Sequence, residues 1–164
     1  MKYLFPIVLV LLISCGNTYY IVRHAEKATA APNMSSDVSL TPEGEQRALA
    51  LNEILKNKKI ANVYSTNTIR TKSTAQPTAD HFGLTIEIYG PRPDSAFISL
   101  LKTKKKNTLV VGHSNTVDDL VNMLCGEKKV AGDLPETQYD NLFEVKRKGN
   151  RYIFTGKKFG QPTQ

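Results

Sequence analysis

Short apolar runs alternate along the chain with segments in which apolar residues recur every three or four positions. The runs are rich in β-branched and aromatic residues and predict strands at residues 19–22, 60–64, 84–89 and 109–112. The segments between them predict amphipathic helices. This alternation is typical of an α/β fold, a three-layer αβα sandwich with a mainly parallel sheet. Two further apolar runs, at residues 141–145 and 152–155, predict a C-terminal hairpin.

Capping residues and apolar stripes define the predicted helices. Thr41 at the N-cap and Pro42 after it predict the start of the first helix. The second helix is expected over residues 68–82, with a kink or break at Pro77 and an end at Gly83. Three helices carry apolar stripes that should face the sheet, formed by Ala48, Leu51, Ile54 and Leu55, by Ala96, Phe97, Leu100 and Leu101, and by Val117, Leu120, Val121 and Leu124.

Charged and polar residues follow the predicted strands. Arg23 and His24 end the first strand, Arg70 lies just beyond the second, and His113 ends the fourth. The carboxyl ends of parallel strands meet at one edge of the sheet, where α/β proteins place their ligands. Two arginines and two histidines at that edge predict a phosphate pocket. Asp94 follows the third strand and is expected at the same edge.

The first 14 residues have the pattern of a secretion signal. A basic Met1-Lys2 precedes an apolar run at residues 4–13, which is too short to cross a bilayer as a helix. Leu12-Ile13-Ser14-Cys15 resembles the lipobox of bacterial lipoproteins, in which the cysteine is acylated. We therefore expect export, a lipid anchor on Cys15 in the bacterial envelope, and one folded domain over residues 15–164. A buried first strand is the alternative, disfavoured because the next strand begins only a few residues later.

The chain is basic, with 22 Lys and Arg against 15 Asp and Glu and a formal net charge of +7. Such an excess favours anionic ligands or an anionic membrane surface. The basic residues form no stripe interleaved with aromatic residues, so no nucleic-acid partner is expected. Most lie near predicted helix C-termini, where cations complement the helix dipole. The only cysteine besides Cys15 is Cys125, which is predicted to be a small core residue.

Three sequence blocks resemble those of a known family. They are YIVRHAE at residues 20–26, YSTNTIRTKSTA at residues 64–75 and VVGHSNT at residues 110–116. In this order and spacing they resemble the histidine phosphatase superfamily, which has the phosphoglycerate mutase-like fold. The resemblance extends from about Thr18 to the C-terminus. Ala25 stands where many members carry glycine, a variant that resembles a short bacterial branch.

The resemblance implies a chemistry for the site. His24 would be the nucleophile that attacks phosphorus and forms a phosphohistidine, which water then hydrolyses. Arg23 and Arg70 would bind the phosphoryl oxygens with planar guanidinium groups, and His113 would donate a further hydrogen bond. These groups would meet the charge of the transition state, so neither a metal nor a cofactor is expected.

The leaving-group acid has several candidates. Asp94 lies in the loop from which related enzymes often supply a carboxylate, but a role as the N-cap of the third helix is slightly favoured over the role of acid. Glu26, Asp118 and Asp119 are alternatives, and some short members of the family manage without a dedicated donor. Arg92 is either a substrate contact or a solvated charge.

Two other chemistries do not fit the spacing. The segment at residues 112–116 lacks the final glycine of a nucleophile elbow, and no histidine follows Ser114. His24-Ala25-Glu26 resembles the His-x-Glu of zinc deaminases, but the chain has no Pro-Cys-x-x-Cys. The expected function is a metal-independent phosphatase acting on a phosphorylated small molecule or a phosphoprotein. A phosphomutase and a non-catalytic binder of phosphorylated ligands are the alternatives.

Overall fold

The computed structural model describes residues 16–30 and 35–163, which form six strands and four helices. The strands are β1 (Thr18–Arg23), β2 (Ile60–Thr66), β3 (Ile86–Tyr89), β4 (Asn107–Gly112), β5 (Asn141–Lys148) and β6 (Arg151–Lys158). The helices are α1 (Pro42–Leu55), α2 (Ile69–Phe82), α3 (Ser95–Thr103) and α4 (Val117–Cys125). No helix within these ranges is long and apolar enough to span a bilayer. The predicted signal and Cys15 lie outside the described residues.

The six strands form one sheet in the order β3-β2-β4-β1-β5-β6. The first four of these are parallel to one another, and β5 and β6 form an antiparallel hairpin beside β1. Tyr19 of β1 is paired with Thr108 of β4 on one side and with Val145 of β5 on the other. The predicted α/β class, with a mainly parallel sheet and a C-terminal hairpin, is confirmed.

Helices cover both faces of the sheet because successive strand side chains point to opposite sides. Tyr20 and Val22 of β1 belong to the core under α1 and α2. Tyr19 and Ile21 belong to the core under α3 and α4. All four side chains are buried, so β1 is a central strand covered on both faces.

The predicted apolar stripes are largely buried, but three positions were predicted wrongly. Ile54 is 38% exposed and Leu100 is 42% exposed, and Ala96 is also exposed. In α1 the buried pair is Leu51 and Leu55, four residues apart, and Ile54 lies beside that face. In α3 the face turned to the sheet includes Ile98 in place of Leu100. The stripe of α4 is buried as predicted.

The predicted helix ends are confirmed, whereas the break at Pro77 is wrong. The Thr41 side chain accepts a hydrogen bond from the backbone N of Gly44, and Gly83 ends α2 with a φ of 62°. α2 is continuous through Pro77. Proline removes one helical hydrogen bond, and the packing of the buried Ala75 and Ala79 on the sheet offsets that loss.

Candidate active site

Two neighbouring strands deliver the two histidines to the carboxyl edge of the sheet. Arg23 at the end of β1 is paired with Gly112 at the end of β4, and His24 and His113 follow directly. The His24 backbone N–H donates to the Gly112 carbonyl at 2.9 Å, which holds the two strand ends together. Arg70 lies in the first turn of α2, after β2, the other neighbour of β4. All four side chains line a cavity of about 770 Å³.

Glycine at position 112 is required by close packing. A Cβ there would lie 2.8 Å from the Tyr89 hydroxyl, closer than real Cβ contacts allow, and 3.0 Å from Thr116 Oγ1, which is a tight contact. The same Thr116 hydroxyl accepts a hydrogen bond from the His113 backbone N–H at 2.9 Å. The absence of a side chain therefore lets the start of α4 approach the strand end and fix the backbone of His113.

His24 is a buried, neutral imidazole with a defined tautomer. Its side chain is 3% exposed, and Nδ1 lies 2.8 Å from the Ala25 carbonyl oxygen. A carbonyl can only accept, so Nδ1 carries the proton and Nε2 keeps its lone pair. The pKa of His24 is lowered to about 3, mainly by burial and to a lesser extent by the positive charges of Arg23 and Arg70. The ring is thus held in its nucleophilic form at neutral pH.

Arg23 is 2% exposed and is held by the backbone of a distant segment. Its Nη1 donates to the carbonyl oxygens of Pro135, Glu136 and Gln138 at 2.9, 3.0 and 3.3 Å. Its Nη2 donates to Glu136 Oε2 at 2.9 Å, and its guanidinium lies 4.2 Å from the ring centre of Tyr139. The buried Nε has no hydrogen-bond partner among the described residues. One donor of the Arg23 guanidinium is therefore unsatisfied within the described residues.

Arg70 has a similar pattern of contacts. Its Nη1 donates to the Ser36 carbonyl at 3.3 Å and lies 3.6 Å from an Asp37 carboxylate oxygen. Its Nη2 lies 3.4 Å from His113 Nδ1. Its Nε is buried and, within the part of the chain that is described, has no partner. The cavity thus contains two arginines that each keep one buried N–H donor free.

His113 is oriented by Thr66. Its Nε2 lies 2.9 Å from Thr66 Oγ1, whose own proton is donated to Thr71 Oγ1 at 3.0 Å. Nε2 therefore carries the proton, and Nδ1 presents a lone pair toward Arg70. Burial lowers the pKa of His113 to about 4, followed in importance by the charges of Arg70 and Arg23. In this neutral form His113 has no free N–H for a phosphate, in contrast to the donor role implied by the family resemblance.

Asp94, the expected leaving-group acid, is not among the residues that line the cavity. Its Oδ1 accepts a hydrogen bond from the Phe97 backbone N–H at 2.8 Å, so the side chain is the N-cap of α3. The strand order explains this position. β3 is separated from β1 by β2 and β4, which places the two strand ends roughly 14 Å apart at the usual strand spacing. Pro91 and Arg92 from the same loop do reach the cavity.

The other acid candidates also lie outside the lining of this cavity. Both Glu26 carboxylate oxygens accept from Arg47, at 2.7 and 2.9 Å, which engages the group in a bidentate ion pair. Asp118 and Asp119 lie in the first turn of α4, and burial raises the pKa of Asp118. None of these carboxyl groups has the geometry of a donor to a ligand held between the two arginines.

Two carboxylates that the sequence analysis did not consider line the cavity, Asp133 and Glu136. Glu136 accepts from the Ser114 hydroxyl at 2.8 Å as well as from Arg23, and these contacts lower its pKa. Both residues belong to a segment between α4 and β5 without regular secondary structure. A hydrogen bond of 2.9 Å from the Leu134 N–H to the Ser114 carbonyl holds this segment against the site. Such a segment has no periodicity that sequence analysis could detect.

The described residues contain no group of three or more His, Cys, Asp or Glu side chains arranged to hold a metal ion. The donor set of the cavity is instead cationic. Lys27 and Arg92 line it together with Arg23 and Arg70. Such a set fits an anionic group with several oxygen atoms, such as a phosphoryl group.

Comparisons with known proteins agree with this geometry. Residues 19–90 match the model of the histidine phosphatase superfamily (branch 1). The protein histidine phosphatase SixA, solved with tungstate, is 21% identical and aligns with a TM-score of 0.67 over 86% of this chain and 96% of its own. A SixA protein from Agrobacterium tumefaciens is 18% identical and aligns with a TM-score of 0.65 over 89% of this chain and 99% of its own. Phosphoglycerate mutase from Bacillus anthracis is 14% identical and aligns with a TM-score of 0.61 over 88% of this chain and 93% of its own. No curated protein sequence matched significantly.

Proposed function

We propose that the chain, whose residues 19–90 match the model of the histidine phosphatase superfamily, is a member of that superfamily and hydrolyses phosphomonoesters through a phosphohistidine on His24. One observation carries the proposal: a neutral buried imidazole stands beside two arginines whose buried Nε atoms have no partner among the described residues. Unpaired buried donors are costly in a folded protein. A phosphoryl group between them would satisfy both donors and would lie next to the nucleophile.

The proposed reaction has two displacements. His24 Nε2 attacks phosphorus in line, so that an N–P bond forms while the bond to the leaving oxygen breaks. The ring then carries positive charge, which the hydrogen bond from Nδ1–H to the Ala25 carbonyl stabilises. In the second step a water oxygen attacks phosphorus and a P–O bond forms while the N–P bond breaks. The electron pair of that bond returns to Nε2, the protons of the water leave with inorganic phosphate or pass to solvent, and neutral His24 is restored.

Arg23 and Arg70 are proposed to stabilise both transition states. Their free Nε–H groups would donate to the equatorial oxygens, where charge develops. A phosphoryl dianion beside His113 would favour the protonated ring, whose Nδ1–H could then donate as well. Since these cations supply the positive charge, we propose that the reaction needs no metal, and activity should survive EDTA.

We do not assign protonation of the leaving group to Asp94, Glu26, Asp118 or Asp119, because none of them lines the cavity. Glu136 is kept ionised by Ser114 and Arg23, so it fits a base for the attacking water better than an acid. Without a dedicated acid, turnover should depend steeply on the leaving group. A series of aryl phosphates should therefore become slower as the pKa of the phenol rises, and a flat series would instead indicate an acid in the cavity.

The proposed substrates are anionic monoesters, either a phosphorylated small molecule or a phosphoprotein. The protein histidine phosphatase SixA shares the fold, and Lys27 and Arg92 would add attraction for anionic groups around the phosphate. Phosphoglycerate mutase also shares the fold, so transfer to a second hydroxyl is the alternative outcome. Release of inorganic phosphate, measured against transfer to an added alcohol, separates the two reactions.

Trapping the intermediate tests the proposal. With a substrate labelled in its phosphate, rapid quenching should yield a protein adduct that is labile in acid and stable in alkali. His24→Gln should abolish both the adduct and turnover, whereas His81→Gln, at an exposed histidine, should retain both. A His24→Gln variant that turns over at the wild-type rate would refute the covalent mechanism. Wild type that binds tungstate but never turns over would favour a phosphate-binding protein.

We also propose that the chain is exported and lipidated on Cys15. The support is the pattern at residues 1–15, in which an apolar run is followed by Leu12-Ile13-Ser14-Cys15. Palmitate should label the wild type and not Cys15→Ala. Recovery of wild-type protein from the cytosol with Met1 intact would contradict export.

A further inference from the structure

The edge of the sheet opposite the candidate active site collects exposed basic side chains. At this edge β1, β2 and β4 begin and the hairpin between β5 and β6 turns. We call it the basic edge, defined by the exposed residues Lys58, Lys59, Lys105, Lys106, Lys148 and Arg151. None of the six forms a salt bridge with a carboxylate of the described residues. The edge therefore presents uncompensated positive charge.

Hydrogen bonds between the segments hold these charges in fixed relative positions. The Asn107 side chain donates to the Lys58 carbonyl and accepts from the Thr18 N–H at 2.8 Å. The Arg147 N–H donates to the Asn17 carbonyl at 2.8 Å, which ties the hairpin to the start of β1. The Arg147 guanidinium donates to the Lys102 carbonyl at 2.7 Å. The basic edge is thus one surface built from several segments of the chain.

Helix dipoles do not account for this charge. Cations near helix C-termini are expected there in any protein, but Lys106, Lys148 and Arg151 lie before β4 and around the hairpin turn. Lys59 has a φ of 50°, a conformation that favours glycine or asparagine over a long side chain. Fold stability alone would not select lysine at that turn.

The chain enters the domain at the same edge. Gly16 lies against the hairpin backbone, since a Cβ on it would come within 2.6 Å of the Arg147 carbonyl oxygen. The fifteen residues that precede Gly16, with their apolar run at residues 4–13, are therefore attached beside the basic edge. Any bilayer that holds this N-terminal segment would meet the basic edge first.

We propose that the basic edge rests on the anionic headgroups of a lipid bilayer. Lysine and arginine at a surface of anionic lipids are attracted strongly enough for a few of them to hold a domain in place. Lys59 and Lys106 line a cavity of about 420 Å³ that can receive a headgroup phosphate. The active site, at the opposite edge of the sheet, then faces away from the membrane, which suits a water-soluble substrate.

Vesicle binding tests the proposal without relying on acylation. The full-length chain carrying Cys15→Ala should co-sediment with phosphatidylglycerol vesicles far better than with phosphatidylcholine vesicles, and salt should weaken the binding. Neutralising three positions, with Lys59→Gln, Lys106→Gln and Lys148→Gln, should reduce affinity for phosphatidylglycerol roughly 10²-fold. The apolar segment at residues 4–13 is common to all variants, so the difference reports on the basic edge alone.

A charge-matched variant supplies the control. Lys72→Gln, Lys157→Gln and Lys158→Gln remove the same net charge near the opposite edge and should leave vesicle binding within about twofold of the parent. Equal loss in the two triple variants would show that net charge and not this surface governs binding, and would overturn the proposal. Equal binding to both lipids would overturn it too. So would binding to an RNA oligonucleotide without binding to phosphatidylglycerol.

Discussion

Replacing His24 by glutamine should remove part of the pH dependence of folding stability. The imidazole is buried, and its pKa is lowered from its ordinary value of 6.5 to about 3 in the folded chain, mainly by burial. Between these values the unfolded chain binds a proton that the folded chain does not. The free energy of unfolding therefore rises with pH in this window, and stability is lost as the pH falls from about 6.5 toward about 3.

The size of the effect follows from the distance between the working pH and the unfolded pKa. Each pH unit below that value favours the unfolded chain by about 1.4 kcal/mol. Near pH 5, protonation of His24 in the unfolded chain should therefore lower the free energy of unfolding by about 2 kcal/mol. From about pH 7.5 to about pH 5, wild type should thus lose about 2 kcal/mol more than His24→Gln. His113, with its pKa lowered to about 4, adds a smaller contribution of the same sign because its ring is partly exposed.

Urea unfolding at the two pH values measures this difference. The chain contains 7 Tyr and no Trp, so circular dichroism or tyrosine fluorescence is the suitable probe. His81→Gln, at an exposed position, controls for the loss of an imidazole as such. If wild type and His24→Gln lose stability equally, within about 0.5 kcal/mol, then His24 is hydrated or charged in the folded chain. The neutral nucleophile would then lose its physical basis.

Three substitutions test other parts of the site. Arg70→Lys should lower kcat/KM roughly 10²-fold, because an ammonium cannot reproduce the planar fork, and a change below threefold would contradict the proposed contact. Glu136→Gln should tighten tungstate binding about fivefold in titrations, because one negative charge near the anion is removed; weaker binding would show that Glu136 instead holds Arg23 in place. Asp94→Ala should lower the free energy of unfolding by about 1 kcal/mol in urea titrations and leave kcat unchanged, whereas a large fall in kcat would restore its role as acid.

The sequence predicts the position of the four cationic and imidazole side chains because local patterns determine it. An apolar β-branched run ending in Arg23-His24, and another ending in His113, place both histidines at a strand end whatever the rest of the fold does. Arg70 follows from the helix start at Thr68, whose side chain accepts from the Thr71 N–H. Each of these inferences depends on a few neighbouring residues.

The location of Asp94 and the identity of Glu136 depend on long-range arrangement instead. The chain order of the strands does not reveal that β3 is the outermost one, so an aspartate after it is expected too close to His24. The carbonyl oxygens that accept hydrogen bonds from Arg23 belong to residues more than a hundred positions away, in a segment without a periodic pattern. The order of the strands across the sheet and the conformation of the loops therefore depend on tertiary packing and cannot be predicted from local sequence patterns.

The ion pair between Arg47 and Glu26 makes the support of the loop after His24 depend on residues that are synthesised last. Arg47 also donates to the Phe159 carbonyl at 2.9 Å, across a separation of 112 residues, so it joins the loop after His24 to the end of the chain. During synthesis this contact can form only after Phe159 has been added to the chain. A nascent chain that ends before Phe159 would already contain every catalytic side chain proposed above, yet the loop that carries its nucleophile would lack this support.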